Sequence, residues 1–217
     1  MRWSIGKKKH NISMFIFRDP VFSINRKHTI EFCNELINRN LNVKFMIETH
    51  LRILDTELIF LLKKAGARGV KVGIENYDMD ILKKESRYTV NKDEQLKKIR
   101  ELENSDILVS TMFIIGFPSD THTSIEKTIE YSKLLNTSYA QFSVWTPYPG
   151  TPVFNDYQNK IMVQRYENFN QYKLIYKHKI FSQIEIRKYL NIAYSEYYSR
   201  FKWLFKYTKA YFFAKEL

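Results

Sequence analysis

The 217-residue sequence holds one cysteine, Cys33. That excludes a disulfide framework and makes a reduced, cytoplasmic setting the default. No apolar run reaches the roughly 18 residues a membrane-spanning helix needs. The start, Met1-Arg-Trp-Ser-Ile-Gly-Lys-Lys-Lys, is basic but has no apolar stretch behind it, so it does not read as a secretory signal. Acidic residues are also short: 23 Asp and Glu face 35 Lys and Arg, a net charge of +12. An excess of that size suits nucleic acid or an anionic membrane, but the lysines are spread along the chain, and a solvated surface explains them equally well.

What the chain does have is apolar and aromatic. Hydrophobic residues make up 44%, enough for a real core and too many for a disordered chain. Fifteen Tyr and sixteen Phe supply large anchors for a core or pocket wall.

Along the chain, strand-like and helix-like patterns alternate about every 25 to 35 residues. Ile12–Phe17 reads as a strand, stopped near Pro20. Asn25 caps a helix running to about Arg39, with Ile30, Cys33, Leu36 and Ile37 at helical spacing; Cys33 on that stripe reads as a small core residue. Asn42–Glu48 is a second strand, and Thr56–Ala65 a helix closed by Gly66. Val70–Ile74 is a third strand ending at Glu75. A short helix at Asp78–Lys84 and a longer one at Lys92–Glu103 follow. Ile107–Ile115 is a fourth strand, broken at Gly116-Phe-Pro118. Thr121–Leu135 is helical, and Tyr139–Trp145 is a fifth strand, broken at Thr146-Pro-Tyr-Pro-Gly150. Such alternation argues for parallel βα units with right-handed crossovers. Five strands in about 135 residues make a partial barrel or an open doubly wound sheet.

Residues 155–217 show no strand alternation. They are rich in Tyr, Phe and Lys, with nine basic and three acidic residues from Lys177 onward. Lys202, Lys206 and Lys209 fall on one helical face, and Phe201, Trp203, Leu204, Phe205, Tyr207, Tyr211 and Phe212 take much of the rest.

Ligands of parallel α/β folds bind at the carboxyl ends of the strands. The residues there are Asp19, Glu48, Glu75, Gly116-Phe-Pro-Ser-Asp120 and Thr146-Pro-Tyr-Pro-Gly150. Carboxylates suit ribose hydroxyls and ammonium groups, and freed backbone suits an adenine edge, so a cationic amino-acid nucleoside matches the rim. The alternative is that the three carboxylates cap the helices that follow them.

Several segments carry a resemblance: Phe17-Arg-Asp-Pro-Val-Phe22; Ile47-Glu-Thr-His-Leu51 with Leu54-Asp-Thr-Glu-Leu58; Lys64-Ala-Gly-Ala-Arg-Gly-Val70 into Gly73-Ile-Glu75; Phe113-Ile-Ile-Gly-Phe-Pro118; and Ala140-Gln-Phe-Ser143 with Thr146-Pro-Tyr-Pro-Gly-Thr151. In this order, over about residues 12–155, they resemble the radical S-adenosylmethionine (SAM) superfamily, in the branch that often carries an upstream cobalamin-binding domain. The resemblance implies a partial (β/α)6 TIM-like barrel over 12–154, truncated at its N-terminal end. A basic stub at 1–11 precedes it and a mostly helical extension at 155–217 follows. It implies S-adenosylmethionine across the strand ends, with Asp19 at the methionine amino group, Glu75 near the ribose, and Ile115, Gly116, Thr146 and Pro147 toward the adenine; Glu48 faces cofactor or substrate. A 4Fe-4S cluster belongs to the intact family, and cobalamin to a parent of this branch.

Two departures stand out. Family members commonly have Pro-Gly-Glu-Thr where this chain has Pro118-Ser-Asp-Thr121, which removes a glycine and shortens the carboxylate arm. The family's Cys-x3-Cys-x2-Cys loop has no counterpart, because the first recognisable strand already matches the family's second. Cluster iron is held by thiolates, so no cluster is expected on this chain alone. The expectation is an inactive fragment of a radical SAM enzyme, as a split gene, a truncation or a degenerate paralogue. Its implied partners are a separate N-terminal half and a substrate held by variable loops. Two other readings stand beside it. One is a non-catalytic nucleoside- or RNA-binding module with a basic tail. The other is an aromatic tail lying on an anionic membrane, set against the same tail, Phe201–Phe213, packing on the open side of the barrel.

Overall fold

Period-two alternation governs the strands. In Lys44–Thr49 (β2), Phe45, Ile47 and Thr49 are buried while Lys44, Met46 and Glu48 are half-buried. The same alternation runs through Leu108–Ile115 (β4) and Tyr139–Val144 (β5), and through Ala67–Glu75 (β3) from Val70 onward, after two successive buried residues at Gly69 and Val70. With the short Met14–Ile16 (β1) they form one parallel sheet in the order β1-β2-β3-β4-β5. The computed structural model describes residue 12 and residues 14–215, with side chains through 208. The basic stub at 1–11 and the side chains of Lys209, Tyr211 and Phe212 lie outside the described residues.

Helices return the chain between strands: α1 Arg26–Asn38, α2 Thr56–Ala65, α3 Met79–Lys84, α4 Lys92–Asn104 and α5 His122–Leu135. Their starts follow from short polar side chains that take orphan amides. Asn25 accepts from the His28 amide (3.1 Å), Asp55 from the Leu58 amide (2.8 Å), and Asp78 from the Asp80 amide (2.9 Å). Gly66 ends α2 with φ of +110°, and a Cβ there would sit 2.0 Å from the Val43 carbonyl oxygen. This glycine serves both the left-handed turn and the close approach. It turns straight into β3, which starts at Ala67 and not at Val70 as the sequence suggests.

The result is a partial barrel. Its outer sheet face, including Phe45, Ile47, Val70, Val72, Phe113 and Phe142, is sealed against the helices. Cys33 is fully buried in the same core. The inner face is half-open and polar. Glu48, Lys71, Ser110 and Tyr139 form one row across it, and Gly73, Met112 and Gln141 the next.

After β5 come α6 (Pro152–Tyr157), an irregular stretch with one antiparallel bridge between Ile161 and Tyr176, then α7 (Gln183–Tyr198) and α8 (Phe201–Lys215). α7 starts with a capping box formed by Ser182 and Glu185. It lies along the edge of β5. The Tyr194 hydroxyl accepts from the Phe142 amide (3.1 Å) and donates to the Phe142 carbonyl (2.9 Å). The Tyr198 hydroxyl does the same for Ala140 (3.1 and 2.7 Å). Trp203 Nε1 donates to the Ser138 carbonyl (2.9 Å), and the Val144 amide donates to the Gln171 carbonyl (2.8 Å). Four residues of helix rise about 6.0 Å and two residues of strand about 6.6 Å, so tyrosines at i and i+4 meet alternate edge residues. The edge needs cover, as expected. The cover is α7, however, through the hydroxyls of Tyr194 and Tyr198, with α8 contributing chiefly Trp203.

Candidate functional site

The carboxyl ends of the strands gather at one end of the barrel. The helix-cap alternative for the three carboxylates fails there, since Asn25, Asp55 and Asp78 hold the caps. Asp19, Glu48 and Glu75 are released for other work.

Glu75 closes β3 with φ of +69°, in the left-handed region that a non-glycine residue occupies at a cost of about 1–3 kcal/mol. A register shift between Gly73 and Glu75 produces this turn. The Glu75 side chain folds back over Gly73, where an added Cβ would lie 3.2 Å from Oε1. Arg87 Nη1 balances it at 3.1 Å from Oε2 and 3.3 Å from Oε1. Glu48 points into the half-open barrel, 3.6 Å from Lys71 Nζ. Asp19 is exposed in the loop after β1. That loop is tied to the end of β2 by the Phe22 amide donating to the Glu48 carbonyl (2.9 Å) and by a buried contact between the Ser23 and Thr49 hydroxyls.

The end of β4 is more constrained than its sequence suggests. Ile115 is buried and its carbonyl accepts from the Trp145 amide (2.9 Å). Gly116 has φ of +74°, and its carbonyl accepts from the Tyr176 hydroxyl (3.0 Å). The Phe117 carbonyl bonds to His178 Nε2 (2.9 Å). His178 Nδ1 faces the Ile180 and Phe181 amides (3.0 and 3.1 Å), so Nδ1 is the acceptor and Nε2 carries the proton. The carbonyls expected to be free at Gly116-Phe117 are thus engaged by the C-terminal extension.

Asp120 is fully buried beneath this turn. It accepts from the Phe117 amide (2.8 Å), the Ser124 hydroxyl (2.5 Å) and Asn76 Nδ2 (3.2 Å). Asn76 Oδ1 in turn accepts from the Asp78 amide (2.8 Å) and the Thr128 hydroxyl (3.2 Å). The network locks the end of β3 to the end of β4. Burial pushes the Asp120 carboxyl above the usual carboxylate range, against the pull of its hydrogen bonds. Burial also raises Glu85, among Arg87, Asp120 and the hydroxyls of Tyr157 and Tyr176. Perturbed groups gathered at one end of a barrel mark a candidate site.

At the end of β5, Trp145 is buried with its ring 5.0 Å from those of both Tyr157 and Tyr176. Thr146 Oγ1 donates to the Val144 carbonyl (3.0 Å), and Pro147 is buried beside it. The structure therefore brings Glu75, Gly116, Thr146 and Pro147 to one rim, with Asp19 and Glu48 on its far side. Sequence reasoning missed Lys71, Asn76, Arg87, Tyr176 and His178. Lys71 was within reach, since it shares the inner face with Gly73 and Glu75 by strand period. Nothing in the sequence points to the other four.

Among the described residues, no group of three or more His, Cys, Asp and Glu could hold a metal ion, and no helix is long and apolar enough to cross a membrane.

Residues 19–132 match the family model described as Radical SAM superfamily. The chain belongs to the radical SAM superfamily, whose members use S-adenosylmethionine and a 4Fe-4S cluster. An anaerobic magnesium-protoporphyrin IX monomethyl ester cyclase of Cereibacter sphaeroides is 32% identical over 206 residues, covering 92% of this chain and 33% of that protein. An uncharacterized methyltransferase of Pyrococcus horikoshii is 27% identical over 206 residues, covering 94% of this chain and 44% of that protein. The chain thus spans less than half the length of these relatives. Among solved structures, the radical SAM methyltransferase TsrM of Kitasatospora setae, with cobalamin and a 4Fe-4S cluster bound, matches with a TM-score of 0.65 at 20% identity, over 72% of this chain and 32% of that one. Coproporphyrinogen III oxidase of Escherichia coli matches with a TM-score of 0.61 at 12% identity, over 87% of this chain and 40% of that one. These two likenesses establish the partial TIM-like barrel.

Proposed function

We propose that this chain forms the S-adenosylmethionine-facing rim of a radical SAM enzyme and that, alone, it does not cleave that cofactor reductively. The observation that carries the first part is Glu75. It is held at a strand end in a strained left-handed conformation, over a glycine that leaves room for its carboxylate, and it caps no helix. Carboxylate acceptors there suit the ribose hydroxyls, and Asp19 suits the methionine ammonium. Glu48, paired with Lys71 inside the barrel, faces the space open to a substrate. Thr146 and Pro147 form the wall toward the adenine.

The chain's own residues do not fit a 4Fe-4S cluster. Its one cysteine is Cys33, buried in the core, where desolvation pushes the thiol up to about 12. Thiolate ligands must come from elsewhere. Once supplied, the cluster would provide the electron for cleavage, while this chain would bind and orient the nucleoside. The cyclase and methyltransferase relatives support a ring-forming or methyl-transfer reaction for an intact parent.

Equilibrium dialysis of the full chain against S-adenosylmethionine tests the first part. Saturable binding is expected, weakened about tenfold in Glu75→Gln by loss of a charge-assisted bond. Absence of saturable binding refutes the rim. Iron analysis after anaerobic reconstitution tests the second part, and a stoichiometric cluster held by this chain alone would refute it.

A further inference from the structure

α8 has two unlike faces. Its inner face is fastened to the domain. Trp203 reaches the Ser138 carbonyl and meets the Tyr198 ring at 4.7 Å, while Lys206 binds the Asn136 carbonyl and pairs with Glu103 at 2.5 Å. Its outer face carries Phe201, Leu204 and Phe205, which are 80%, 45% and 77% exposed and spaced i, i+3, i+4. A helix anchored by one face ordinarily turns a polar face outward; this one shows phenyl rings, with Lys202 exposed beside them. The 15 residues of α8 include four lysines and no acid. Because Asn136 and Ser138 precede β5, α8 lies at the amino ends of the strands, opposite the rim.

We propose that this outer face of α8 docks on an anionic lipid surface, with Phe201, Leu204 and Phe205 in the headgroup boundary and Lys202 at lipid phosphates. Charge and shape select this occupant. A second copy would bring lysine-bearing helices without acidic partners against each other. Among the described residues no helix is long and apolar enough to cross a membrane, whereas an aromatic helix carrying lysines suits one lying in the interface. Protruding rings beside Lys202, with an aliphatic side chain between them, match an acyl boundary better than a nucleic-acid backbone. Docked this way, the domain would leave its rim facing water.

The test is co-sedimentation of the full chain with vesicles of phosphatidylcholine alone or mixed with phosphatidylglycerol. Binding is expected to the mixed vesicles and to weaken with salt. Phe201→Ser and Phe205→Ser should each lower partitioning about tenfold, the worth of one buried phenyl ring. Lys202→Glu, which leaves both rings in place, should also weaken binding. All three positions are exposed, so the fold should survive, and circular dichroism checks that it does. The proposal fails if no mixed vesicle binds at low salt, if the serine variants bind like the parent, or if light scattering shows a dimer that the serine substitutions dissolve. Retention on RNA that depends on the two rings, without vesicle binding, would also overturn it.

Discussion

Replacing Tyr194 and Tyr198 with phenylalanine isolates what the hydroxyl ladder contributes to the fold. Each hydroxyl makes two hydrogen bonds to one edge residue of β5, at 3.1 and 2.9 Å for Phe142 and at 3.1 and 2.7 Å for Ala140. The rings pack on Phe142 and Trp203, and phenylalanine keeps those contacts. The loss is therefore almost wholly in polar groups: four bonds at about 0.5–1.5 kcal/mol net each, or about 2–6 kcal/mol for the double variant. With a urea m-value of about 2–3 kcal/mol/M for a domain of this size, the midpoint should fall by about 0.7–3 M at unchanged slope. Each single variant should give about half. A double variant within about 0.5 kcal/mol of the parent would show that water satisfies the edge and that α7 holds by apolar packing alone.

Other outcomes follow from single sites. Asp120→Asn places an amide where three donors converge and should cost about 1–3 kcal/mol. Because the folded-state pKa of Asp120 is raised, its protonated form contributes stability that is fully present below the unfolded value near pH ~3.9 and is lost as pH rises through the folded value. Urea titrations should then show the penalty of Asp120→Asn shrinking as pH rises through that window; a penalty that grows would mean the ionised form is the favoured one. Gly66→Ala meets both a positive φ and the Val43 carbonyl, and should lower stability by at least about 2 kcal/mol in thermal unfolding. Cys33 should resist iodoacetamide at pH 8 in the native chain and react promptly in urea; rapid native labelling would show that the core opens around α1.

The elements that were legible in sequence are those whose ends are set locally. Asn25 and Gly66 bracket α1 and α2 through side-chain and backbone geometry within a few residues, and both helices form where those signals place them. The strand ends carrying Glu48 and Glu75 were visible for the same reason. The start of β3 was not, because Ala67-Arg-Gly shows no apolar alternation of its own, and it joins the strand where the Gly66 carbonyl accepts from the Phe45 amide of the neighbouring strand. The pairing of Gly116 and Phe117 with Tyr176 and His178 spans about sixty residues and has no periodic signature. A buried Asp120 is likewise invisible in a segment that reads as a polar loop. Charge on the tail was legible, but not which helix would meet β5, since that depends on hydroxyl spacing against a strand not yet placed.

The grip of Tyr176 and His178 on Gly116 and Phe117 gives the irregular stretch after α6 an unexpected importance. A segment with almost no regular structure holds the floor of the rim, so the shape of the rim depends on residues far from the strands that build it. It also makes that stretch a natural place for drift. Substitutions there need not disturb the barrel, yet each would retune the shape offered to a nucleoside or its co-substrate. Relatives with the same strands but different tails would then diverge in what they accept long before they diverge in fold.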